Sequence, residues 1–398
     1  MKKSLSYSKI LLFLFSIIIF FVTRQFPLSN YSIISNIALM GIFILYFPKN
    51  KTFLFYTFIV VSLCIYSFLE QNKISNIIRF AIILLTLGFA YYIKTSKDVV
   101  KILYYFVSLQ CFVILGFELY MMFFCPSNSV ASIIRSTFLG KEWGDIYSFN
   151  NFFYKIQLKG NAILPFTYMI SYYFSVFSKK NMFLFRFALF LSCICAGNFA
   201  FIIIIALFHI YHFFVTVKNN AKKIIYRFYL LLFLALLTSG IIISYVQSVL
   251  EMKADVSNAI RFDQANVLIN DLTQNPITYL FGTGLGHTIS VATKLRDYND
   301  VIYYELQSLY ILNQLGVIFF GALLLFLLIL TLKRIKYKDL LMVYIFYIIY
   351  AISNPYIFDT NHFIVIVILC CISDYRLSIK KQLTTQNDEK NNLCISAI

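Results

Sequence analysis

Charged residues are scarce in this chain of 398 residues, at 13% of the sequence, whereas hydrophobic residues make up 60%. A soluble domain usually carries about 25% charged and about 45–50% apolar residues. The shortage of charge therefore argues against a soluble domain, and apolar runs such as 10–22 and 199–217 indicate segments within a bilayer. Because a spanning segment must satisfy its own backbone hydrogen bonds, the sequence predicts an all-α integral membrane protein.

Acidic residues are the rarer charge, with 17 Asp and Glu against 34 Lys and Arg, giving a net charge of +17. Such an excess can indicate nucleic-acid binding, but here it is unevenly distributed. With the amino terminus assigned inside, 22 of the 34 basic residues fall in inner segments and eleven in outer ones, as the positive-inside rule expects. We interpret the inner ones as anchors beside an anionic leaflet. This interpretation predicts no nucleic-acid partner and places both termini in the cytoplasm.

The cysteines are too few and too scattered to form a framework of disulfide bonds. Of the eight cysteines, six lie in apolar runs, Cys394 lies in the carboxy-terminal tail, and Cys125 is near the predicted outer surface. A disulfide needs two partners in an oxidising compartment. Cys193 and Cys195 also lack the two-residue spacer of a zinc or redox pair. The sequence therefore predicts no disulfide, no metal site and no cofactor.

The apolar runs fit about twelve spans of roughly 20 residues each. The predicted spans are 9–23, 31–47, 53–69, 74–93, 99–124, 161–178, 181–196, 198–217, 228–248, 303–331, 339–357 and 361–374. Gly197-Asn198 leaves two alternatives, a very tight re-entry between two spans or a break within one tilted helix. The polytopic domain covers 1–376, with long outward-facing loops at 125–160 and 249–302, and a polar cytoplasmic tail covers 377–398.

The second outer loop contains the clearest pattern of polar residues. Arg261 begins an amphipathic stretch that Asn275-Pro276 stops, and a glycine turn with Gly282, Gly284 and Gly286 follows. Glycines let backbone amides approach an anion closely, and an arginine fork matches phosphate oxygens. Glu305, at the outer end of the next helix, could act as a general base or simply favour the helix dipole. His287 is a second candidate base, with a solvated loop histidine as the alternative.

The first outer loop ends in the sequence YKIQLKGNAILP, residues 154–165. Lys155, Gln157 and Lys159 alternate with apolar residues, so they share one face if this stretch is extended. Lys159 and Asn161 are candidates for contacts with phosphate or sugar. Arg135, earlier in the loop, is a candidate for neutralising a phosphate, although basic residues beside a membrane are often only solvated.

Together these motifs resemble the O-antigen polymerase and ligase superfamily. The similarity lies in Arg261, the FGTGLG turn of 281–286, the YYELQSLYILNQLG helix start of 303–316, and the GNAILP segment. The resemblance implies a glycosyltransferase of the bacterial inner membrane that makes O-antigen, capsule or exopolysaccharide. Its donor and acceptor would be oligosaccharides on undecaprenyl pyrophosphate, and a chain-length regulator would be a compatible partner. It further implies that Arg261 holds the leaving pyrophosphate and that Glu305 orients or deprotonates the acceptor.

The chain also departs from the superfamily. Members commonly have a Ser-Arg dipeptide between helices seven and eight, where this chain has Gly197-Asn198. Lys159 or Arg135 could supply the missing charge, or the donor is handled differently.

Two alternative functions remain. A ligase of the same superfamily is one alternative, but ligases usually have histidine at the position of Glu305. A flippase or transporter is another, and it would place charged residues deep within several spans.

Overall fold

Most of the described chain is helical, and a single hairpin of two strands interrupts the helices. The computed structural model describes residues 2–28, 32–48, 50–125, 128–148, 154–216, 225–226, 228–229, 259–291, 302, 304–352 and 354–395. In chain order the elements are α1 (Lys2–Val22), α2 (Ser32–Tyr46), α3 (Lys51–Leu69), α4 (Ile74–Ala90), α5 (Asp98–Phe124), α6 (Asn128–Gly140), β1 (Gly144–Ser148), β2 (Tyr154–Leu158), α7 (Ile163–Ile170), α8 (Lys179–Cys195), α9 (Phe199–Thr216), α10 (Ala259–Leu272), α11 (Pro276–Phe281), α12 (Gln307–Arg334), α13 (Lys338–Ile352) and α14 (Thr360–Ile395).

The apolar helices have the character of a membrane protein. Among the described residues, four helical stretches are long and apolar enough to cross a bilayer, namely Lys51–Leu69, Asp98–Phe124, Gln307–Arg334 and Thr360–Lys380. They expose large apolar side chains: Phe58 on α3 is 67% accessible and Phe112 on α5 is 76% accessible. In water such exposed surface would be costly, whereas lipid tails cover it without penalty.

One predicted span, 161–178, is wrong. The helix there is α7, which has only eight residues, all of them buried. It ends at Ile170, and the carbonyl of the next residue, Ser171, accepts a hydrogen bond from Arg186 Nη2 at 2.6 Å. The segment is apolar because it is enclosed by neighbouring helices, among them α5, α8 and α13. Periodicity and hydropathy do not separate such a buried helix from a spanning one.

The other described helices begin and end close to the predicted spans, and two further features differ from the prediction. The first long loop contains the antiparallel pair β1 and β2, in which Gly144 is opposite Leu158, so one short hairpin adds to the otherwise helical fold that the sequence predicts. Helix α14 continues through the predicted tail to Ile395, so the boundary at residue 376 is not a structural break. The predicted span 228–248 lies outside the described residues.

Helices α8 and α9 form a tight re-entry. Gly197 adopts a left-handed φ of 62°, and the Asn198 side chain then accepts the amide of Ala200 to start α9. Arg186 of α8 lies 4.2 Å from the Tyr172 ring centroid, and His212 of α9 lies 5.2 Å from the same ring. Because both helices return to Tyr172, they run in opposite directions.

Both long loops lie at one end of the bundle. The glycine turn contacts Asn76 near the start of α4, whereas Tyr91 at the end of α4 accepts a hydrogen bond from Arg334 at the end of α12. The first loop follows α5, which starts near the Tyr91 end, because Ser96 contacts Cys371 there. The end with the loops therefore holds both candidate regions, and we refer to it as the loop end.

Candidate functional site

Arg261 and Glu305, 44 residues apart in sequence, form an ion pair at the loop end. Arg261 lies in the first turn of α10, and its Nε–H donates to Glu305 Oε2 at 2.9 Å. Glu305 precedes α12, which packs alongside α10. Both side chains are about one-third exposed, at 36% and 34%. The pair is therefore reachable from outside the protein and is fixed by two packed helices.

Gln264 holds the Glu305 side of this pair in place, and it is not among the site residues predicted from the sequence. It lies one turn after Arg261 on α10 and is fully buried. Its Oε1 accepts the backbone N–H of Glu305 at 3.2 Å, while its Nε2 is buried without a hydrogen-bond partner. A buried amide donor is costly when unpaired. The only sequence signal for it was its position three residues after Arg261, on the same helix face.

The glycine turn packs against α12 rather than opening toward solvent. Thr283 N donates to Asn313 O and Gly284 N to Gln314 O, both at 3.0 Å. A Cβ on Gly282 would lie 2.2 Å from Gln314 O, and one on Gly316 would lie 2.3 Å from Gly282 N. Backbone approaches this close require glycine. Gly316 also interrupts α12 with a φ of 65°.

The same turn is held on its other side by α3 and the start of α4. Leu285 N donates to Ser67 Oγ at 2.6 Å, and Asn72 Nδ2 donates to Thr283 O at 3.0 Å. A Cβ on Gly284 would meet Ser67 and Asn72, and one on Gly286 would meet Asn76. The turn thus joins α12 to the α3–α4 connection.

These contacts correct the anion-binding interpretation of Gly282, Gly284 and Gly286. The amide of Gly282 donates to Thr278 O, that of Gly284 to Gln314 O, and that of Gly286 to Gln314 Oε1 at 2.9 Å. An amide already bonded within the protein has no proton left for a phosphate oxygen. The glycines shape the site by close packing, and they do not present donors to a ligand.

His287 lies in a second polar cluster, at the other end of α10. Its Nε2 is 3.4 Å from Asp271 Oδ2, which also accepts from Asn313 Nδ2 at 2.9 Å. Burial opposes ionisation of Asp271, but the hydrogen bonds from His287 and Asn313 outweigh it and lower the pKa of this carboxyl. The hydroxyl of Tyr310 donates to the His287 carbonyl. The cluster fixes the path of the chain after the glycine turn.

The structure does not bring His287 to the Arg261–Glu305 pair. Asp271, the partner of His287, is ten residues after Arg261 on the same helix, a separation of about 15 Å. Sequence proximity of His287 to the glycine turn suggested one site, whereas α10 separates the two groups. Asp271 and Asn313 were missed because their pairing depends on how α10 packs against α12.

Arg135 and Lys159 are paired with acids of their own loop. Arg135 Nε and Nη2 donate to the two carboxylate oxygens of Asp145 at 2.8 and 3.0 Å. Lys159 Nζ is 3.6 Å from Glu142 Oε2. The first pair ties α6 to β1, and the second lies at the open end of the hairpin. These partners reduce the charge that either residue could offer to a phosphate.

Asn161 is a buried structural residue rather than an exposed sugar contact. Its Oδ1 accepts from Gln110 Nε2 at 2.8 Å and its Nδ2 donates to Ile156 O at 2.9 Å. The prediction of an extended face is confirmed on β2, where Tyr154, Ile156 and Leu158 are buried and the residues between them are half-buried.

Glu118 is buried below the hairpin, within α5. Its Oε1 accepts the amide of Tyr154 at 3.0 Å, which attaches the start of β2 to the helix. Its Oε2 is buried without a hydrogen-bond partner.

The described residues contain no cluster of three or more His, Cys, Asp or Glu side chains placed to hold a metal ion. Compared with known proteins, the chain matches no family model, no curated protein and no solved structure.

Proposed function

We propose that this protein is an integral membrane polysaccharide polymerase that joins lipid-linked repeat units of O-antigen, capsule or exopolysaccharide. The observation that carries the proposal is the Arg261–Glu305 pair, with Nε and Oε2 at 2.9 Å and both side chains about one-third exposed. A cation for a leaving pyrophosphate and a carboxylate for an attacking hydroxyl are the two groups that such a transfer needs.

Among the described residues, no partner occupies the two terminal nitrogens of the Arg261 guanidinium, the part that would bind phosphate in this proposal. Within the described part of the chain, its guanidinium uses Nε–H for Glu305. A guanidinium has five N–H donors in a fixed fork, so the terminal nitrogens can hold two phosphate oxygens while Nε keeps Glu305 alongside. Arg261 would thus position the carboxylate next to the donor's anomeric carbon.

The proposed step is a single displacement. The acceptor hydroxyl gives its proton to the Glu305 carboxylate as its oxygen attacks the anomeric carbon of the donor, forming the new glycosidic bond. The bond from that carbon to the pyrophosphate oxygen breaks, and its electron pair stays on undecaprenyl pyrophosphate. Arg261 stabilises the negative charge that develops on this leaving group.

The proposal includes a topology. About twelve spans with both termini in the cytoplasm would place the loop end on the outer side of a bacterial inner membrane, where lipid-linked repeat units are joined. Support comes from the position of both long loops at one end of the bundle and from Arg334 and Arg376 at the opposite end, each ion-paired there. Basic residues accumulate on the cytoplasmic side.

Transport is the second candidate, because a buried chain of hydrogen-bonded side chains links the end of α4 to α12, α13 and α14. Tyr91 OH is 2.6 Å from Thr331 Oγ1 and 3.2 Å from Tyr344 OH. Tyr344 OH is 2.9 Å from His362 Nε2. Buried ionisable groups at membrane depth occur in transport pathways.

The ligase alternative has no structural observation in its favour, since Glu305 occupies the position where ligases usually have histidine.

The test is the surface polysaccharide profile of a deletion strain complemented with wild type, Arg261→Gln, Glu305→Gln or Asn266→Ala at matched membrane levels. Asn266 lies on the same helix with its side chain exposed, so its variant controls for disturbance of α10. We expect single repeat units with both site variants and a full ladder with wild type and the control. Unattached long chains would indicate a ligase, and a full ladder in the deletion strain would refute a polymerase.

A further inference from the structure

A cavity of about 400 Å³ opens at the end of the bundle opposite the loops. Its wall comes from the start of α5, the connection between α7 and α8, and the middle of α14. The polar residues that line it are Lys97, Lys101, Tyr173, Ser175, Tyr375 and Arg376. None of them belongs to the candidate site, which is separated from this cavity by the length of the spanning helices.

The lining carries an excess of positive charge. Lys97 Nζ lies 5.4 Å above the Tyr375 ring. Lys101 pairs with Asp98 at 3.0 Å, but these side chains are 46% and 49% exposed, and exposed pairs of this kind are weak. Arg376 is held by Asp339 at 2.6 Å and by the Tyr173 carbonyl at 2.9 Å. The two lysines are therefore the cations best able to turn toward a bound anion.

An apolar stripe leads away from the cavity along α5. Tyr105, Leu109 and Phe112 are 62%, 49% and 76% exposed. With Lys101 they are spaced by four, four and three residues, so they share one helix face. This face belongs to a helix long and apolar enough to span a bilayer. A cationic cavity above a lipid-facing stripe matches the two parts of a phospholipid, its headgroup and its acyl chain.

We propose that this cavity binds the phosphate of an anionic glycerophospholipid, with an acyl chain lying along Tyr105, Leu109 and Phe112. The phosphate chemistry alone would also suit a soluble phosphate ester. The stripe favours the lipid, because a soluble ester has nothing to place on it. Tyrosines at the rim fit this position, since amphipathic rings favour the membrane–water interface. The proposal is independent of the polysaccharide reaction.

The test uses the purified full-length protein in neutral phosphatidylcholine nanodiscs, titrated with phosphatidylglycerol and read by native mass spectrometry. Lys97→Gln/Lys101→Gln removes two charges from the cavity. Lys179→Gln/Lys180→Gln removes two exposed charges at the start of α8, outside the lining. We expect the cavity variant to bind phosphatidylglycerol about tenfold more weakly or worse, and the matched control to stay within about twofold of wild type.

A second variant tests the cavity without changing its charge. Ser175 is exposed at the rim, so Ser175→Trp can fill the space without disturbing the core. We expect it to weaken phosphatidylglycerol binding as well, with an unchanged melting temperature. Equal losses in both lysine variants, or no loss with Ser175→Trp, would overturn the site. If glycerol phosphate displaces the lipid at equal concentration, the ligand is a soluble phosphate ester and the lipid proposal is overturned. If glycerol phosphate fails to displace the lipid, the result supports the proposal.

Discussion

At the scale of single residues, the pairing of Arg261 with Glu305 is the feature on which the proposed chemistry depends. The two side chains are about one-third exposed, and exposed ion pairs contribute only about 0.2–1 kcal/mol to stability. The ion pair therefore contributes little to the stability of the fold, although two packed helices hold its members close together. This contrast allows a catalytic role to be separated from a structural one.

We therefore expect Glu305→Gln to abolish polymerisation while lowering the free energy of unfolding by no more than about 1 kcal/mol. The amide keeps the shape of the side chain but cannot accept the hydroxyl proton. Repeat-unit polymerisation in membranes and thermal unfolding in detergent measure the two effects separately. Retained polymerisation would remove Glu305 from the mechanism.

Arginine at position 261 should not be replaceable by lysine. Lysine keeps the charge but has no second nitrogen to hold Glu305 while it binds phosphate. We expect Arg261→Lys to lower the polymerisation rate by about 10²-fold or more, which corresponds to about 2.7 kcal/mol of transition-state stabilisation. The measurement is the initial rate with a lipid-linked repeat unit, and a rate near wild type would show that charge alone suffices.

Asp271 gives a pH-dependent prediction. Hydrogen bonds from His287 and Asn313 lower its pKa below the ordinary value of 3.8. A lowered folded-state pKa stabilises the protein above the unfolded value, and this stabilisation is lost as the pH falls through the folded value. We expect Asp271→Asn to be less stable than wild type at neutral pH, with the gap closing below about pH 4. Thermal unfolding in detergent over this range is the measurement, and a gap independent of pH would contradict it.

At the scale of elements, the glycine turn and the start of α12 form one packed unit. Gly282 has a φ of 81°, and its added Cβ would lie 2.2 Å from Gln314 O. Gly321, on the same helix α12, is exposed with nothing within 4 Å of an added Cβ. The two positions provide a matched pair for testing whether the turn is structural.

We expect Gly282→Ala to destabilise the protein by at least about 1–3 kcal/mol, because it combines left-handed strain with a backbone clash. Gly321→Ala should be neutral or stabilising by up to about 1 kcal/mol. Melting temperatures in detergent measure both. Equal effects of the two substitutions would show that the close approach at Gly282 is relieved by movement.

An ion pair joins the hairpin of the first loop to α6, and it uses Arg135, a residue that the sequence predicts as a candidate for neutralising a phosphate. Arg135 binds both carboxylate oxygens of Asp145, and its side chain is 48% exposed. We expect Arg135→Asp to impair function by loosening α6 from β1, and Arg135→Asp/Asp145→Arg to restore it. Failure of the exchange to restore polysaccharide length would return Arg135 to the substrate site.

At the scale of the whole molecule, the fold brings both long loops to one side. We expect Glu142→Cys and Gln274→Cys to react with a membrane-impermeant thiol reagent in intact cells. Ser378→Cys, at the opposite end, should react only after permeabilisation. All three positions are exposed, and most of the described native cysteines are buried. Labelling of Glu142→Cys and Gln274→Cys from opposite sides would overturn the topology.

Much of the membrane architecture was predictable because it depends on local properties. A spanning helix needs a long apolar run, and the bounds of α3 and α5 match the predicted spans within two residues. The span at 161–178 failed because α7 is apolar for a different reason, burial inside the protein. The hairpin was missed as an element, although the alternation that defines β2 was visible.

The membrane character, most helix bounds and the choice of Arg261 and Glu305 as candidate reactive groups followed from the sequence alone. Which of these residues meet depends on the tertiary structure. It paired Arg261 with Glu305, placed His287 with Asp271 about 15 Å away along α10, and bonded the glycine amides to α3 and α12. The physical reason is that hydropathy and helix formation depend on neighbouring residues, whereas hydrogen-bond partners depend on how distant helices pack.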